Sequence, residues 1–313
     1  MTNTILDLKN VKTYPIKNRK NIVKIDQFAK LIKPSKDFTK FFGSLPKILC
    51  ADDLNTVINS IVKSYKDGHK IGIAIGAHVV KCGLSPIIID LMERGIISCV
   101  SMNGSVAIHD YEISLIGETS EDVAQGIEDG TFGMAQETGN AFQEASKTGN
   151  NNETGLGRAI GEKILKDDNK YKAFSILSAG ARLNIPTTVH VAIGTDIIHM
   201  HPNISCSDLG GSSHIDFKIM SSFISQLENG VWLNIGSAVI MPEVFLKALT
   251  LANNLGHNVQ NFTTVNMDMI RQYRSEINVV KRPTKKGFSI IGHHEIMIPL
   301  LYMGIISALE EHG

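Results

Sequence analysis

From about residue 70 to the end of the chain, short apolar segments alternate with segments of helical periodicity. The first unit has an apolar run at 71–76, a Ser-Pro start followed by helical spacing at 85–94, and a second apolar run at 96–102. A strand, a helix and another strand within about 30 residues predict a crossover unit, from which parallel sheets are built. The pattern therefore predicts an α/β fold.

The same alternation continues in the second half of the chain. It predicts strands at 187–193, 231–235, 261–265 and 288–291, and helices at about 213–227, 243–255 and 295–310. Because the predicted strands are almost continuously apolar, we expect a parallel sheet covered by helices on both faces. The polar, glycine-rich stretch at 117–170 predicts a helical excursion over that sheet and not a second domain.

Charge is balanced over the whole chain but uneven along it. The 31 basic and 31 acidic side chains cancel, which removes any global electrostatic reason to expect nucleic acid or a membrane surface as a partner. Basic residues dominate the first 40 positions. We therefore expect residues 1–44 to form a basic, solvated arm with some helix, followed by a single domain at 45–313.

Two absences bear on the compartment. No stretch has the roughly 18 consecutive apolar residues of a membrane span, and the N-terminus lacks the apolar core of a signal peptide. The four cysteines are scattered without a paired motif, so the sequence predicts neither a zinc site nor a disulfide framework. We expect a cytoplasmic protein.

Glycine, histidine and acidic residues gather where the predicted strands end. In an open parallel sheet, ligands bind beyond these ends, where glycine lets a ligand approach the backbone. The set predicts a nucleotide-sized pocket. Its members are Gly76, Ala77, His78, Asn103, Gly104, Ser105, His109, Asp110, Asp196, Gly236, Ser237, Asp268, His293 and His294.

Other motifs are weaker indications of function. The glycines at 155, 157 and 161 resemble a dinucleotide loop, but an asparagine-rich turn precedes them where a strand is required, so we reject that function. Ser213 is expected to cap a helix. The many histidines match no zinc spacing, which favours proton transfer over metal binding. Lys281 is either a solvated charge or, in a pocket, an imine-forming nucleophile.

Three stretches together resemble deoxyhypusine synthases. They are residues 72–104 followed by His109 and Asp110, residues 230–249, and residues 276–281 with 292–301. The likeness covers roughly residues 45–310. It implies a Rossmann-like fold that binds NAD, in a homotetramer with sites at subunit interfaces. It also implies an NAD-dependent transferase that moves an aminobutyl group from spermidine or a related polyamine to a lysine or amine acceptor, including a protein lysine.

The resemblance and the strand ends together give the expected site. NAD contacts are expected at Gly76, Ala77, His78, Gly83, Asn103, Gly104, Ser105, Gly236, Ser237 and His293. Substrate contacts are expected at Asp196, Glu276, Asp268 and His294. Lys281 is the expected imine former, and His109 and Asp110 are the other expected catalytic residues. No metal is expected.

Several positions differ from the family pattern. Ala77-His78 replaces a Ser-Asn loop, His109-Asp110 replaces an acidic pair, and Met241 aligns near the position of a pocket histidine. These differences leave two other functions open. One is a hydrolase or lyase built on the His/Asp cluster, with or without a metal. The other is a nucleotide-binding protein without catalysis.

Overall fold

A computed structural model describes residues 8–34 and 36–310. The elements before and beside the first predicted crossover are β1 (Asn21–Lys24), α1 (Lys36–Ser44), α2 (Leu49–Lys66), β2 (Ile71–Ile75), α3 (Ala77–Lys81), α4 (Ser85–Glu93), β3 (Cys99–Asn103) and α5 (Gly104–Ile116). The predicted excursion then contains β4 (Glu118–Glu121), α6 (Val123–Asp129), α7 (Gln136–Asn151) and α8 (Leu156–Lys166).

The second half alternates strands and helices as expected. Its elements are α9 (Ile176–Leu183), β5 (Thr187–His190), α10 (Cys206–Ile224), β6 (Val231–Ile235), α11 (Ile240–Asn254), β7 (Thr263–Asp268), α12 (Tyr273–Ser275), β8 (Lys286–Ile291) and α13 (His294–Glu310). A π-helical segment, Glu276–Lys281, joins α12 to the start of β8.

Six strands form one parallel sheet in the order β5-β3-β2-β6-β7-β8. In this order the chain starts at β2, builds outward on one side through β3 and β5, and then returns to add β6, β7 and β8 on the other side. This is the strand order of the doubly wound dinucleotide-binding folds, with the switch point between β2 and β6. The predicted Rossmann-like parallel sheet is confirmed.

Successive residues of a strand point to opposite faces of the sheet. In the central strands both sets of residues are apolar, so the sheet is apolar on both faces. Ile71, Ile73 and Leu233 belong to a large core with α2, α4 and α13. On the other face, Trp232 packs with α10 and α11, and its ring lies over Gly72, where a Cβ would overlap it. Two covered faces explain the continuous apolar runs in the sequence.

Several predicted boundaries are wrong. The strand predicted at 187–193 ends at His190, and the helix predicted from 213 begins at Cys206, where Ser205 Oγ accepts a hydrogen bond from the Asp208 N–H at 3.3 Å. Ser213 therefore lies inside α10 and caps nothing. Its hydroxyl donates to the carbonyl of Val189 at 2.9 Å, which ties α10 to β5.

The glycine motif at 155–161 is structural, as the missing strand before it indicated. The buried Asp216 carboxylate accepts hydrogen bonds from the N–H groups of Gly157 at 2.9 Å and Val189 at 2.8 Å. It therefore occupies the N-terminus of α8, where a phosphate would bind in a dinucleotide loop. A Cβ on Gly157 would overlap the carbonyl of Thr187, so glycine allows α8 to pack closely on β5.

The N-terminal segment is not the solvated arm that its charge suggests. Strand β1 pairs antiparallel with β4, and Tyr14 forms a backbone bridge with Ala135. Arg19 is almost fully buried in an ion pair. Ile16 and Phe28 of the same segment are also buried, so its position is fixed by packing and pairing that the charge composition does not record. Residues 1–7 of the predicted arm are outside the described residues.

Within residues 8–34 and 36–310, no helix combines the length and apolarity needed to cross a lipid bilayer. All four cysteines have free thiols, as their scattered spacing predicted.

Candidate functional site

The strand ends that face the switch point are formed by two glycines. Gly76 follows β2 and donates its N–H to the carbonyl of Ile235 at 2.8 Å, and Gly236 follows β6 and donates to Met267 at 2.9 Å. A Cβ on Gly76 would overlap the carbonyl oxygen of Gly236. Gly236 has a φ of 68°, which L-residues rarely adopt. We call this region, bounded by residues 76–78, 236–237 and 293–294, the switch-point crevice.

Histidines surround the crevice. His78 and His293 are exposed, whereas His294 is buried over Gly236. The rings of His78 and His294 lie 6.0 Å apart, and His294 Nε2 lies 4.0 Å from Asp268 Oδ1. Burial lowers the pKa of His294, and Asp268 opposes that shift. The neutral imidazole is therefore favoured at this position.

The crevice residues fit a dinucleotide. Ligands of doubly wound sheets bind beyond the carboxyl ends of the strands at the switch point, where glycine lets the ligand reach the backbone. At this point Gly76 lets the two strand ends approach closely, and Gly236 lets the buried His294 lie directly over the backbone. Ser237 is buried, and its Oγ accepts a hydrogen bond from the N–H of Met241 at 3.2 Å, which fixes the start of α11 beside the crevice.

A cavity of about 200 Å³ lies at the same edge of the sheet, beyond β3 and β5. It is smaller than the roughly 300–1,000 Å³ of drug-sized ligand sites, so it suits a small substrate and not a whole dinucleotide. We call it the His109 cavity. The chemically functional side chains that line it are Arg19, Lys81, Ser105, His109, Glu112, Ser120, Glu121, Thr195 and Asp196.

His109 is held by a chain of hydrogen bonds. Its Nδ1 lies 2.7 Å from Thr119 Oγ1, and the Thr119 hydroxyl donates to Glu112 Oε2 at 2.5 Å. Glu112 is paired in turn with Arg19 at 2.6 Å. Burial lowers the pKa of His109 to about 4, with Lys81 and Arg19 acting in the same direction and Glu112 opposing them. His109 is therefore a neutral imidazole at physiological pH.

One wall of the cavity comes from the N-terminal segment. The Arg19 guanidinium bonds Glu112 and lies 3.4 Å from Glu121, and both acidic groups are largely buried. Glu121 also accepts a hydrogen bond from the N–H of Gly133 at 3.0 Å. Burial raises the pKa of the Glu121 carboxyl, and Arg19 partly offsets that effect. Arg19, two residues before β1, thus closes the cavity with a buried charge network.

Asp196 connects the cavity to the end of β3. Its Oδ2 accepts a hydrogen bond from the N–H of Ala192 at 2.8 Å, and its carboxylate lies against Gly104, where a Cβ would overlap it. Burial raises the pKa of Asp196. Ser105, at the start of α5, also lines the cavity. The structure thus brings together Ser105 and His109, which follow the second predicted strand, and Asp196, which follows the strand predicted at 187–193.

Some expected residues have other tasks. The buried Asp110 carboxylate accepts hydrogen bonds from Ser175 at 2.5 Å and from the N–H of Ile176 at 2.7 Å, so it holds the start of α9 and is directed away from His109. Successive residues of a helix point about 100° apart, which explains why the adjacent side chains of His109 and Asp110 have different contacts. Asp110 is thus corrected from a catalytic to a structural role.

Gly83 and Asn103 are likewise structural in their visible contacts. Gly83 has a φ of 71° and packs against Phe28 of the N-terminal segment. Asn103 caps α5, because its Oδ1 accepts a hydrogen bond from the N–H of Val106 at 3.2 Å. These contacts explain both residues structurally and do not indicate a ligand-binding role.

Lys281 lies apart from both the switch-point crevice and the His109 cavity. Its side chain is 60% exposed, and its Nζ pairs with Glu276 Oε1 at 3.2 Å. The carbonyl of Val280 lies against Gly287, near the start of β8. The lysine is therefore toward the edge where the strands begin, opposite the switch-point crevice, and neither it nor Glu276 lines the His109 cavity.

The histidines after β5 do not form a metal site. His199 Nδ1 contacts the carbonyl of Asp196 at 2.9 Å, and His201 Nε2 contacts the carbonyl of Gly133 at 2.8 Å. His199 lies in a 3₁₀ turn, and His201 lies directly after it. In the described part of the chain, no three His, Cys, Asp or Glu side chains are grouped to hold a metal ion.

Sequence patterns missed several cavity residues. Arg19, Lys81, Thr119, Glu112 and Glu121 are all in or behind its walls. Only Glu112 carries a usable signal, because it lies three residues after His109 on the same helix face. The others come from segments distant in sequence.

No protein-family model matches the sequence, and no curated protein matches it. Solved structures share its fold. A protein assigned as a conserved LOR/SDH protein from Methanococcus maripaludis S2 is 18% identical, with a TM-score of 0.54 over 85% of this chain and 71% of that one. A protein assigned as a deoxyhypusine synthase from Entamoeba histolytica is 13% identical, with a TM-score of 0.50 over 96% of this chain and 98% of that one.

The ternary complex of AgrE with ornithine and NAD⁺ is also similar. It is 13% identical, with a TM-score of 0.53 over 88% of this chain. This chain spans about a third of AgrE, since the match covers 34% of that protein. At these identities the likeness shows the fold alone, and it confirms at that level the resemblance to deoxyhypusine synthases.

Proposed function

We propose that this protein is an NAD-dependent enzyme that acts on a small amine. The observation that carries the proposal is the position of the His109 cavity, at the same sheet edge as the glycine-lined crevice of a dinucleotide-type strand order. The crevice suits the cofactor and the cavity suits the substrate. Bound NAD⁺ would accept a hydride from the carbon next to the amine nitrogen.

The residues proposed to hold NAD lie around the switch point. Gly76, Ala77, Gly236 and Ser237 form the strand ends there, and the exposed His78 and His293 supply polar side chains. Asn103, Gly104 and Ser105 end the neighbouring strand. Asp268 Oδ1 and His294 Nε2 lie 4.0 Å apart behind the crevice, and we propose that these two side chains determine the shape of the crevice.

The charges of the His109 cavity support an amine substrate. Among the described residues Asp196 has no ion pair with a lysine or arginine, and Glu121 shares the Arg19 guanidinium with Glu112, so an ammonium group would relieve the cost of burying the two carboxylates. Lys81 lines the same cavity and offers a positive charge for a carboxylate. An amine with or without a carboxylate, such as spermidine or an ornithine-like amino acid, therefore fits the cavity's chemistry.

Aminobutyl transfer through Lys281 is the more specific version of this proposal. Within one chain, Lys281 lies toward the opposite edge of the sheet, paired with Glu276. Transfer through this lysine therefore requires that a second subunit completes the site. That arrangement agrees with the interfacial sites expected from the deoxyhypusine synthase resemblance.

Exposed apolar side chains are a separate indication of a homo-oligomer. Several lie in the loops at the carboxyl edge of the sheet, around the proposed site: Ile193, Val239, Met269, Ile270, Tyr273 and Ile296. A ring of large apolar residues about a site is typical of protein interfaces. We propose a homo-oligomer formed through this edge, in the reducing cytoplasm that the four free thiols suit.

Calorimetric titration with NAD⁺ and NADH tests cofactor binding. The variant His78→Ala removes an exposed crevice side chain, and His257→Ala is the matched control, since exposed His257 lies in the loop before β7 at the opposite edge. We expect binding to the native protein and to the control, with weaker binding to His78→Ala. Absence of binding by the native protein would contradict the proposal.

Turnover is tested by mixing protein, NAD⁺ and single amines and recording NADH absorbance. We expect NADH with at least one amine or amino acid. NAD binding without turnover across polyamines and basic amino acids would instead indicate a nucleotide-binding protein without catalysis.

Borohydride trapping with spermidine, followed by mass spectrometry, tests the role of Lys281. An adduct that is absent in Lys281→Arg supports transfer through this lysine, and an adduct on another residue excludes Lys281.

A further inference from the structure

The hydrogen-bond chain behind His109 fixes which ring nitrogen carries its proton. Glu112 is paired with the Arg19 guanidinium at 2.6 Å, so its carboxylate is ionised and can only accept. The Thr119 hydroxyl has one proton and donates it to Glu112 Oε2 at 2.5 Å. Toward His109 Nδ1, 2.7 Å away, Thr119 can therefore only accept. The proton of a neutral His109 must be on Nδ1.

The other ring nitrogen is left with a lone pair. His109 Nε2 has no hydrogen-bond partner among the described residues, and it is not among the fully buried unpaired atoms. The side chain is 15% exposed and lines the cavity, together with Lys81, Ser105 and Asp196. The lone pair therefore has solvent or a ligand in the cavity as its partner.

We propose that His109 is the proton acceptor of the cavity, with Thr119 and Glu112 as the positioning residues that hold it in the Nδ1–H tautomer. This inference deepens the proposed function, on which its substrate rests. It assigns the substrate a protonated amine or a hydroxyl group within reach of Nε2. A fixed tautomer matters because the acceptor lone pair then needs no rearrangement before the reaction.

The proton transfer itself balances simply. An N–H bond of the substrate ammonium breaks, its electron pair stays on the substrate nitrogen, and a new bond forms between that proton and Nε2. The resulting imidazolium lies 4.0 Å from Glu112, whose charge stabilises it. Lys81 and Arg19 oppose that charge, so the proton is returned readily after the reaction.

Nitrogen-15 NMR of histidine-labelled protein tests the tautomer without any cofactor. The variant His109→Gln identifies the signal by its loss. We expect a protonated Nδ1 and an unprotonated Nε2 in the native protein, from pH 8 down to about pH 5. A signal showing protonated Nε2 in the native protein would overturn the proposal.

Two threonine variants test the positioning role. Thr119→Val removes the acceptor of the Nδ1 proton and is expected to shift His109 toward the Nε2–H form, whereas Thr119→Ser keeps the hydroxyl and should restore the native pattern. An unchanged tautomer in Thr119→Val contradicts the role of Thr119. Because the native measurement decides the tautomer alone, a variant that does not fold leaves the test intact.

Diethyl pyrocarbonate, which modifies unprotonated imidazole nitrogens, tests access to Nε2. At pH 5.5 we expect modification of the His109 peptide by mass spectrometry, because this histidine stays neutral at that pH. No modification of His109 would show that Nε2 does not face the cavity. These measurements are independent of NAD titration, so the failure of the proposed cofactor and the failure of the proton acceptor can be told apart.

Discussion

Gly76 and Gly236 end two neighbouring strands so closely that a Cβ on the first would overlap the carbonyl oxygen of the second. The contact lies at the one point of the sheet where the strand order reverses. A glycine required by backbone contact at this point has two consequences. It keeps β2 and β6 together at their ends, and it adds no side chain of its own to the crevice, where His294 lies over Gly236.

Gly76→Ala tests both consequences. The added methyl group must push the end of β2 away from Gly236, and overpacking of this kind costs roughly 1–3 kcal/mol of unfolding free energy. We expect that loss in urea unfolding, together with weaker NAD binding by calorimetry. Gly210→Ala is the control, since a Cβ at this position inside α10 meets nothing within 4 Å. An unaffected Gly76→Ala would refute the close contact.

Asp216→Ala should be among the more damaging single substitutions. Its carboxylate serves the buried N–H groups of Gly157 and Val189, and each unsatisfied buried donor costs about 1–3 kcal/mol. We expect a loss of at least ~2 kcal/mol in urea unfolding. Glu128→Ala, at an exposed position of α6, should change stability little. Equal effects of the two substitutions would contradict the structural role of Asp216.

Acid should destabilise the protein through buried histidines. Burial lowers the pKa of His190 to about 3, against the ordinary histidine value of 6.5. Between these values the unfolded chain binds a proton that the folded chain does not, so stability falls as pH falls below about 6.5. His190→Gln should reduce the loss of unfolding free energy between pH 7 and pH 5.5 by about 1 kcal/mol. An unchanged difference would contradict the burial effect.

The apolar rim gives a prediction about assembly. Ile270 is 57% exposed after β7 at the carboxyl edge, and Leu255 is 68% exposed after α11 at the opposite edge. If copies associate through the carboxyl edge, Ile270→Asp should reduce the mass measured by light scattering, and Leu255→Asp should not. Identical masses for the native protein and Ile270→Asp would place any interface elsewhere.

The chemistry of the strand ends was partly visible in the sequence. Glycine at 76 and 236 and histidine at 109 were expected at the carboxyl edge because parallel strands bring their ends to one side of a sheet. Asp110 was assigned with His109 because the two are adjacent in the chain. The helix turns them apart, so one lines a cavity and the other caps α9.

The sequence by itself determined the alternation of strands and helices, and with it the parallel sheet, because side-chain periodicity is a local property that each segment carries. Only the tertiary structure decided that Arg19 would reach Glu112, that Thr119 would orient His109, and that Lys281 would lie apart. These contacts join residues from different segments of the chain. A side chain's charge or tautomer depends on the neighbours that folding brings within a few ångströms, and spacing along the chain does not record those neighbours.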